Sequence, residues 1–259
     1  QFSTDGPDAF CAGSPNSNYV NPEGTDDEFR VSGNTFIPWD AATVTSPPAL
    51  FNSNDYAYLL QQSTRYTAGF FANYDVNENI NLYSDFGFMN DKTNVTIAPS
   101  GLFIGSGAQG AAFAVNCSNP FLSAQQAGLI GCTAPTDTVN LLLGRRNIEG
   151  GGRNQFYDHT NYRVVMGAKG DITGPWSYDV NGSYYYTSLF TSAENYLTIA
   201  GVQDALLVGG TRANPVCLSG NASCIPYNIF SEGGVSQPAA ASLLRNGSAR
   251  GTITERSER

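Results

Sequence analysis

Residues 65–91 read RYTAGFFANYDVNENINLYSDFGFMND and carry the clearest indication of the fold. Two alternating runs flank a polar turn at residues 77–79, and successive side chains of a β-strand point to opposite faces. One face collects the apolar and aromatic residues of both runs, namely Tyr66, Ala68, Phe70, Ala72, Tyr74, Val76, Ile80, Leu82, Phe86 and Phe88. The stretch therefore predicts a strand hairpin with one apolar face. That face fits a soluble sheet packed on a core as well as a barrel wall facing lipid.

A second hairpin, predicted over residues 160–188, repeats this asymmetry. Its apolar and aromatic face carries Tyr162, Val164, Met166, Ala168, Ile172, Trp176, Tyr178, Val180, Tyr184 and Tyr186. The opposite face carries mainly charged or small polar residues. The turn at residues 173–175 contains glycine and proline, which end strand pairing. The two predicted hairpins, 63–91 and 160–188, therefore belong to one kind of sheet.

The connections between the strands favour lipid as the partner of the apolar face. Both hairpin turns are minimal, whereas the segments 1–62, 92–158 and 189–250 are long, and such loops are unusual in compact domains. Short turns at one end and long loops at the other are the layout of an outer-membrane barrel. A soluble sandwich would instead show turn signals every ~8–12 residues. The aromatic residues nearest the two rims stand at girdle positions: Tyr74, Trp176, Tyr178, Tyr184 and Tyr186.

These features predict one all-β domain over residues 1–259, a segment of an antiparallel up-and-down transmembrane β-barrel. Its long extracellular loops are expected to carry short helices. Ser123 and Gln126 are spaced as a capping box for one helix, and residues 202–208 and 238–245 are two further candidates. The final GTITERSER opens like another strand. The polar face of the sheet is predicted to line the lumen through Arg65, Asp85, Arg163, Lys169 and Asp179.

Composition excludes some partners and supports the membrane interpretation. Charged residues make up 14% of the 259 residues, well below the roughly 25% of soluble domains. The formal net charge of −9 argues against nucleic acid, whose phosphates need a basic surface. No run approaches the ~18–20 apolar residues of a spanning helix. The start, QFSTDGPDAF, lacks the regions of a signal peptide, so a mature form or an excised piece is expected.

Five cysteines, at positions 11, 117, 132, 217 and 224, lie in loop-like sequence. This placement favours an oxidising compartment and local disulfides. The short separations predict the pairs Cys117–Cys132 and Cys217–Cys224. Cys11 is left over, and its partner is expected upstream of this chain.

One charged cluster surrounds the glycine run IEGGGR at residues 148–153. The glycines lack the spacing of a P-loop or a dinucleotide turn, so they predict a tight loop. Arg145, Arg146 and Arg153 stand around Glu149. The cluster either binds an anionic ligand or pairs internally to order the loop.

No catalytic or metal constellation is supported by the remaining residues. His159 is the only histidine, which rules out a Cys/His metal set and leaves a Ser-His-Asp arrangement without support. The acidic run at residues 26–28 lacks the pattern of a cation loop, and nothing singles out two carboxylates for glycoside hydrolysis. We therefore expect no enzyme, no metal and no cofactor.

Five Asn-X-Ser/Thr sequons, at Asn94, Asn116, Asn181, Asn221 and Asn246, sustain a rival hypothesis. They are acceptors for glycan in a secreted protein. The rival is a secreted or cell-surface β-rich structural or adhesive glycoprotein, polymeric through its open strand edges. Asn181 distinguishes the two hypotheses, because in a barrel this residue would face the lumen in the middle of a strand.

The chain resembles a middle segment of a TonB-dependent receptor, a large outer-membrane family of Gram-negative bacteria. The resemblance rests on the joint order of several stretches: LLQQSTRYTAGFFANYDVNENINLYSDFGFMNDKT, APSGLF, NCSNPFLSAQQ, GRRNIEGGGR and IPYNIFSEGGVS. It implies a 22-stranded barrel filled by an N-terminal plug, and barrels of that size are plugged transporters. It also implies uptake of a siderophore, vitamin, glycan or peptide, powered through TonB.

This chain departs from that pattern, since we identify no plug, no TonB box and no barrel-closing strand in it. The expected function is therefore nutrient uptake across the cell outer membrane, with these residues supplying barrel wall and ligand-capturing loops. Its expected partners are outer-membrane lipid, a small nutrient ligand and the TonB system acting through the absent plug. Ligand contacts are expected in loops 92–158 and 189–250.

Overall fold

The computed structural model describes residues 18–39, 51–53, 55–56, 58, 60–104, 107 and 112–258. Strands hold 58% of the residues and helices 10%, with mostly antiparallel pairing, which confirms the predicted all-β class. No closed barrel is formed by the described residues. The chain divides into two compact units. The first unit is built from residues 1–58, 96–153 and 194–246, and the second from residues 59–95, 154–193 and 247–259.

The strands, numbered along the chain, are β1 (Tyr19–Pro22), β2 (Phe29–Ser32), β3 (Thr35–Pro38), β4 (Gln62–Asn77), β5 (Ile80–Ile97), β6 (Gly101–Leu102), β7 (Phe113–Asn116), β8 (Thr138–Arg146), β9 (Arg153–Thr173), β10 (Trp176–Leu197), β11 (Val208–Gly210), β12 (Pro215–Cys217) and β13 (Leu244–Glu258). The helices are α1 (Ala124–Leu129), α2 (Ile199–Leu206) and α3 (Gln237–Ser242), with a 3-10 turn at Ile148–Gly150. Within the described ranges, none of these helices has the length and apolar character needed to cross a bilayer.

The second unit contains a five-stranded sheet in the order β13-β10-β9-β5-β4. In the antiparallel pair β4–β5, Phe70 lies opposite Phe86 and Tyr74 opposite Leu82. Directly opposed residues share a face, so the two alternating runs place their apolar residues together as predicted. The register shifts between Asp75 and Asn77, where a bulge precedes the turn.

The strands of this sheet run beyond the predicted hairpins. The hairpin predicted at residues 63–91 spans residues 62–97 in the structure, and the hairpin predicted at residues 160–188 spans residues 153–197. Pairing continues past the apolar stretch because polar side chains there bond across the strands. Asn90 donates through Nδ2 to Asp158 Oδ1 (2.7 Å) and to Thr160 Oγ1 (2.8 Å).

Two glycines of the sheet have conformational or steric reasons to be glycine. Gly174, in the β9–β10 turn, has a φ of +57°, in the left-handed region that glycine enters without a Cβ penalty. Gly167 lies directly beneath the ring of Tyr83, where an added Cβ would come within 2.4 Å of the ring. The absent side chain at Gly167 therefore makes room for Tyr83.

The first unit has an apolar core of its own. One sheet has the order β3-β2-β1-β8-β6, with β7 also paired to β8. The core is built from buried residues of all three chain segments, including Val20, Phe29, Phe36, Phe113, Val115, Leu141, Leu143, Leu206, Tyr227 and Phe230. The described parts of the three segments that were predicted as long loops therefore pack into one core and are not independent loops.

The three short helices occur close to their predicted positions. Ser123 caps α1, with its hydroxyl accepting from Gln126 N while the Gln126 side chain accepts from Ser123 N. This confirms the predicted capping box. The second helix starts and ends earlier than predicted because Val208 pairs in β11. The third ends at Ser242, since Leu244 already begins β13.

Side-chain amides complete backbone hydrogen bonding in the first unit. Gln125 accepts from Phe36 N (3.0 Å) and donates to Phe36 O (2.7 Å). Gln203 forms the same reciprocal pair with Ala114, and Asn116 forms it with Val208. A buried or edge backbone group left without a partner costs free energy. These amides therefore act as single-residue extensions of the strands.

Two disulfide bonds cross-link segments of the first unit. Cys117 pairs with Cys132 and Cys217 with Cys224, with Cα–Cα distances of 5.6 and 6.2 Å. Both predicted pairs are confirmed. The predicted leftover cysteine, Cys11, lies outside the described residues.

Candidate functional site

The charged cluster predicted around residues 145–153 lies in the first unit. Arg145 and Arg146 end β8, and Glu149 belongs to the 3-10 turn that follows. Arg145 is buried, and its Nη2 donates to Glu149 Oε1 at 2.6 Å. Its Nη1 donates to the hydroxyl of Tyr227 at 3.0 Å and to the backbone carbonyl of Arg146. This part of the cluster pairs internally and orders the turn.

Tyr227 and Asn147 extend that ordered part into the core. The Tyr227 hydroxyl donates to Asn147 Oδ1 at 2.9 Å, and Asn147 Nδ2 donates to the carbonyl of Ala240 at 3.1 Å. Burial raises the pKa of Tyr227, so its hydroxyl keeps the proton that it donates. Neither residue was predicted from the sequence, because Tyr227 lies 80 positions away from Asn147.

Arg153 contacts backbone and an aromatic ring. Its Nε donates to the carbonyl of Ala98 at 2.8 Å, and its guanidinium lies 5.4 Å from the ring centroid of Tyr196. These contacts hold the start of β9 beside the end of β5. Like Arg145, Arg153 has a local ordering role in the structure.

Arg146 differs from its two neighbours in the cluster. Its guanidinium lies 4.6 Å from the ring centroid of Phe103 and 5.5 Å from that of Phe51. Its Nη1 donates to the carbonyl of Pro99 at 3.1 Å. In the described part of the chain no carboxylate lies within ion-pair distance of it. Burial and the positive charge of Arg153 lower the pKa of Arg146.

A pocket of about 410 Å³ opens beside this arginine. Its lining residues all belong to the first unit: Asn18, Phe51, Arg145, Arg146, Ile148, Glu149, Ser231, Glu232 and Gly233. Its volume falls within the range of small-molecule sites, and it combines apolar walls with a few charged groups. Phe51 and Ser231 were not predicted, since each is far from residues 145–153 in sequence.

The five predicted lumen residues lie on one face of the sheet in the second unit. Arg163 Nη2 contacts Asp85 Oδ2 at 3.1 Å, and Arg65 pairs with Asp91 of the neighbouring strand. Tyr83 donates to Asp179 Oδ1 at 2.6 Å, and Lys169 lies 5.8 Å from the Tyr83 ring centroid. All five therefore have polar or aromatic partners across strands, and their exposure to a lumen stays a prediction.

The opposite face of the same sheet is apolar and exposed. Phe70 is 58% exposed and Trp176 70% exposed. Further large apolar residues on this face are exposed as well: Tyr66, Tyr74, Val76, Ile80, Leu82, Met166, Ile172 and Val180. Rings also stack within it, with Phe70 against Phe86 at 5.5 Å and Tyr162 against Tyr186 at 5.0 Å. Phe71 is an exception, since it is exposed on the polar face.

Within the described ranges, no three or more His, Cys, Asp or Glu side chains are grouped so that they could hold a metal ion. His159 lies in β9, half-buried.

Comparisons with protein-family models, curated proteins and solved structures found no match to this chain. The resemblance to TonB-dependent receptors therefore stays an expectation from the sequence.

Proposed function

We propose that this chain forms part of an outer-membrane TonB-dependent receptor. It would supply part of the barrel wall and the loops that capture the ligand. In this role it takes up a scarce nutrient, a siderophore, vitamin, glycan or peptide, and it is a transporter and not an enzyme. The observation that carries the proposal is the exposed apolar face of the five-stranded sheet. Exposed apolar surface of this extent marks an interaction with a protein or a membrane.

The length of the apolar face favours lipid over a protein partner. A tilted transmembrane strand needs about 9–11 residues to cross the hydrocarbon core. The apolar runs on four neighbouring strands, residues 66–76, 80–88, 162–172 and 176–186, cover that length. Beyond residue 88 the same face turns polar, with Asn90 and Lys92 facing Asp158. This change matches the edge of a hydrocarbon layer.

The other face suits a polar lumen. Arg163 with Asp85 and Tyr83 with Asp179 are bonded across strands there. Transmembrane barrels alternate apolar residues outward with polar residues inward. The connectivity agrees too, since β4–β5 and β9–β10 are joined by minimal turns while all long connections belong to the first unit.

The first unit then supplies the capture surface. Its core and its two disulfides give it a defined shape, and disulfides form in compartments outside the cytosol. A ligand held there would pass to a plug that the TonB system rearranges from the periplasm. The residues of this chain would bind and guide the ligand, and the energy-coupling parts would be elsewhere.

The decisive experiment is fractionation of the native protein together with its intact mass. The proposal expects an outer-membrane species that requires detergent and is several-fold heavier than the 27.6 kDa of this chain. A soluble species near 27.6 kDa, or that mass plus glycan, would overturn it. Deletion of the gene should then abolish TonB-dependent uptake of one nutrient, whose identity a growth screen would give.

A second candidate is a secreted or cell-surface structural or adhesive glycoprotein. It is favoured by the outer strands of the sheet, β4 and β13, each of which has one partner among the described strands. Open edges of this kind pair with other chains. Glycan attached to Asn181 would support this candidate against the barrel. Asn116 cannot be the glycan acceptor in this fold, because it is buried and its amide donates to the carbonyl of Val208.

A further inference from the structure

We infer that the pocket beside Arg146 binds a small organic acid, with the carboxylate held by the guanidinium of Arg146. The binding step stands apart from the proposed function, whereas the role of this ligand as transported cargo rests on it. The pocket of about 410 Å³ is large enough for such a molecule.

The first support is the unpaired edge of Arg146. Its Nη1 is occupied by the carbonyl of Pro99, while Nε and Nη2 donate to no acceptor in the described part of the chain. These two nitrogens form the side of the guanidinium that binds a carboxylate with two parallel hydrogen bonds. Nε is buried and unpaired, which costs free energy, and a carboxylate that it meets after a small rotation of the side chain would remove that cost.

The second support is the restricted placement of the cation. Phe103 and Phe51 contact the guanidinium, with ring centroids at 4.6 and 5.5 Å, and the carbonyl of Pro99 accepts from one nitrogen. These contacts restrict the side chain before a ligand arrives, which lowers the entropy cost of binding. Because no carboxylate of the described chain neutralises Arg146, its charge is available to an anion.

The rest of the pocket selects within the class of organic acids. Phe51 and Ile148 provide apolar walls, and Glu149 and Glu232 provide acceptors. Glu149 Oε2 is buried and has no hydrogen-bond partner, although Oε1 accepts from Arg145. Arg145 neutralises Glu149, and Glu232 partly offsets the charge of Arg146, so the pocket has little net positive charge for a multiply charged anion such as phosphate. The pocket thus suits a monocarboxylate that also carries a hydroxyl or amine donor and an apolar body.

Three probes separate these features: mandelate, phenylacetate and mandelamide. Mandelate has the carboxylate, the hydroxyl and the ring, whereas phenylacetate lacks the hydroxyl and mandelamide lacks the charge. Binding to the full chain is measured by ligand-observed NMR and calorimetry at fixed ionic strength. We expect millimolar or tighter binding of mandelate, with mandelamide weaker by at least about 10-fold, since a charge-assisted pair is lost. Equal binding of the two, or no saturable binding of any probe, would overturn the inference.

The variant Arg146→Gln should weaken mandelate binding by about 10- to 100-fold. Arg245→Gln is the matched control, because Arg245 is an exposed arginine bonded to backbone carbonyls away from the pocket. Its binding of mandelate should be unchanged. Near-UV circular dichroism of each variant reports whether the first unit keeps its packing.

Arg146→Lys tests the geometry even if Arg146→Gln fails to fold. Lysine keeps the charge but has no planar fork, so we expect binding between that of wild type and that of Arg146→Gln. Wild-type affinity in the lysine variant would refute the two-bond arrangement. Failure here is distinguishable from failure of the proposed function. Mandelate binding by a soluble protein would keep the pocket and remove the transporter, and a membrane protein without mandelate binding would do the reverse.

Discussion

The two units place the same kinds of side chain in opposite surroundings. In the first unit Phe113 and Leu141 are 0% exposed, whereas in the second unit Phe70 and Trp176 are largely exposed. Burying apolar surface away from water stabilises a fold by about 25 cal/mol per Å², and the first unit uses this contribution in the ordinary way. The sheet of the second unit is one layer, and a layer with an apolar face needs another layer or a nonpolar solvent.

An alternating pattern therefore specifies a face of a strand but not the partner of that face. The runs in β2 and in β5 both alternate, yet Phe29 and Val31 meet a protein core while Leu82 is exposed. The partner depends on what the rest of the chain can bring to the face. Four substitutions, given in order of decreasing expected effect, test this difference between the two units.

The largest effect is expected for Phe113→Ala in the first unit. Removal of a fully buried ring leaves a cavity, and such changes lower the free energy of unfolding by about 3–5 kcal/mol. The control is Phe71→Ala on the second unit, where the ring is 85% exposed, and a far smaller loss is expected. Chemical denaturation monitored by near-UV signals compares the two. Similar losses would contradict the division into a water-driven core and an uncovered sheet.

A charge on the apolar face of the sheet should be the next most harmful change. In a bilayer, Val180→Arg places a cation in hydrocarbon and is expected to cost about 2–4 kcal/mol near the midplane. Asn181→Arg is the matched control, since the adjacent residue points to the polar face. Folding into lipid vesicles is the measurement. If both variants fold equally well, the apolar face does not meet lipid.

A smaller effect is expected for Gln126→Glu in the core of the first unit. Gln126 is fully buried, and its Nε2 donates to the carbonyl of Phe230 at 2.7 Å. A carboxylate cannot donate there, so we expect a loss of about 1–3 kcal/mol that grows as pH rises above the ordinary range of glutamate. The control is Gln237→Glu, at an exposed position of the same unit. Thermal unfolding at two pH values would contradict the idea if Gln237→Glu proved the more harmful.

The smallest effect is expected for Arg163→Gln on the polar face of the sheet. Arg163 and Asp85 are 48% and 46% exposed in their side chains, and exposed ion pairs contribute only about 0–1 kcal/mol. The loss should also shrink as salt is added, because exposed charges are screened. Urea denaturation at low and high salt measures both. A loss as large as that of Phe113→Ala would mean that the pair is buried by something that covers this face.

Several features followed from the sequence because they depend on near neighbours. The parity of residues 66–88 predicted which side chains share a face, and the pairing of Phe70 with Phe86 agrees. The capping box of Ser123 needs only the residue three positions later, and both predicted disulfides join cysteines 15 or 7 positions apart. Interactions of this range leave few alternatives for the chain.

The core of the first unit did not follow from the sequence. It joins Phe36, Phe113 and Phe230, which belong to three separate segments predicted as individual loops. The reciprocal bonds of Gln125 with Phe36 and of Gln203 with Ala114 each span 89 positions. Such contacts depend on the closure of long loops, which no local pattern encodes. The candidate site shows the same division, since the cluster at 145–153 was predicted and its partners Phe51 and Tyr227 were not.

Four features of this protein could be predicted from local sequence, namely its all-β class, the two faces of its long strands, its two disulfides and the location of a charged cluster. This was possible because strand periodicity, capping and short-range cysteine pairing are local. The tertiary contacts were needed to show that the segments predicted as long loops share one core. They also show that Arg145 has a carboxylate partner, whereas Arg146 has none among the described residues. Adjacent arginines look alike in sequence, but Glu149 and Tyr227 reach one of them and aromatic rings reach the other. Long-range packing, which no local pattern encodes, therefore gives the two arginines different partners.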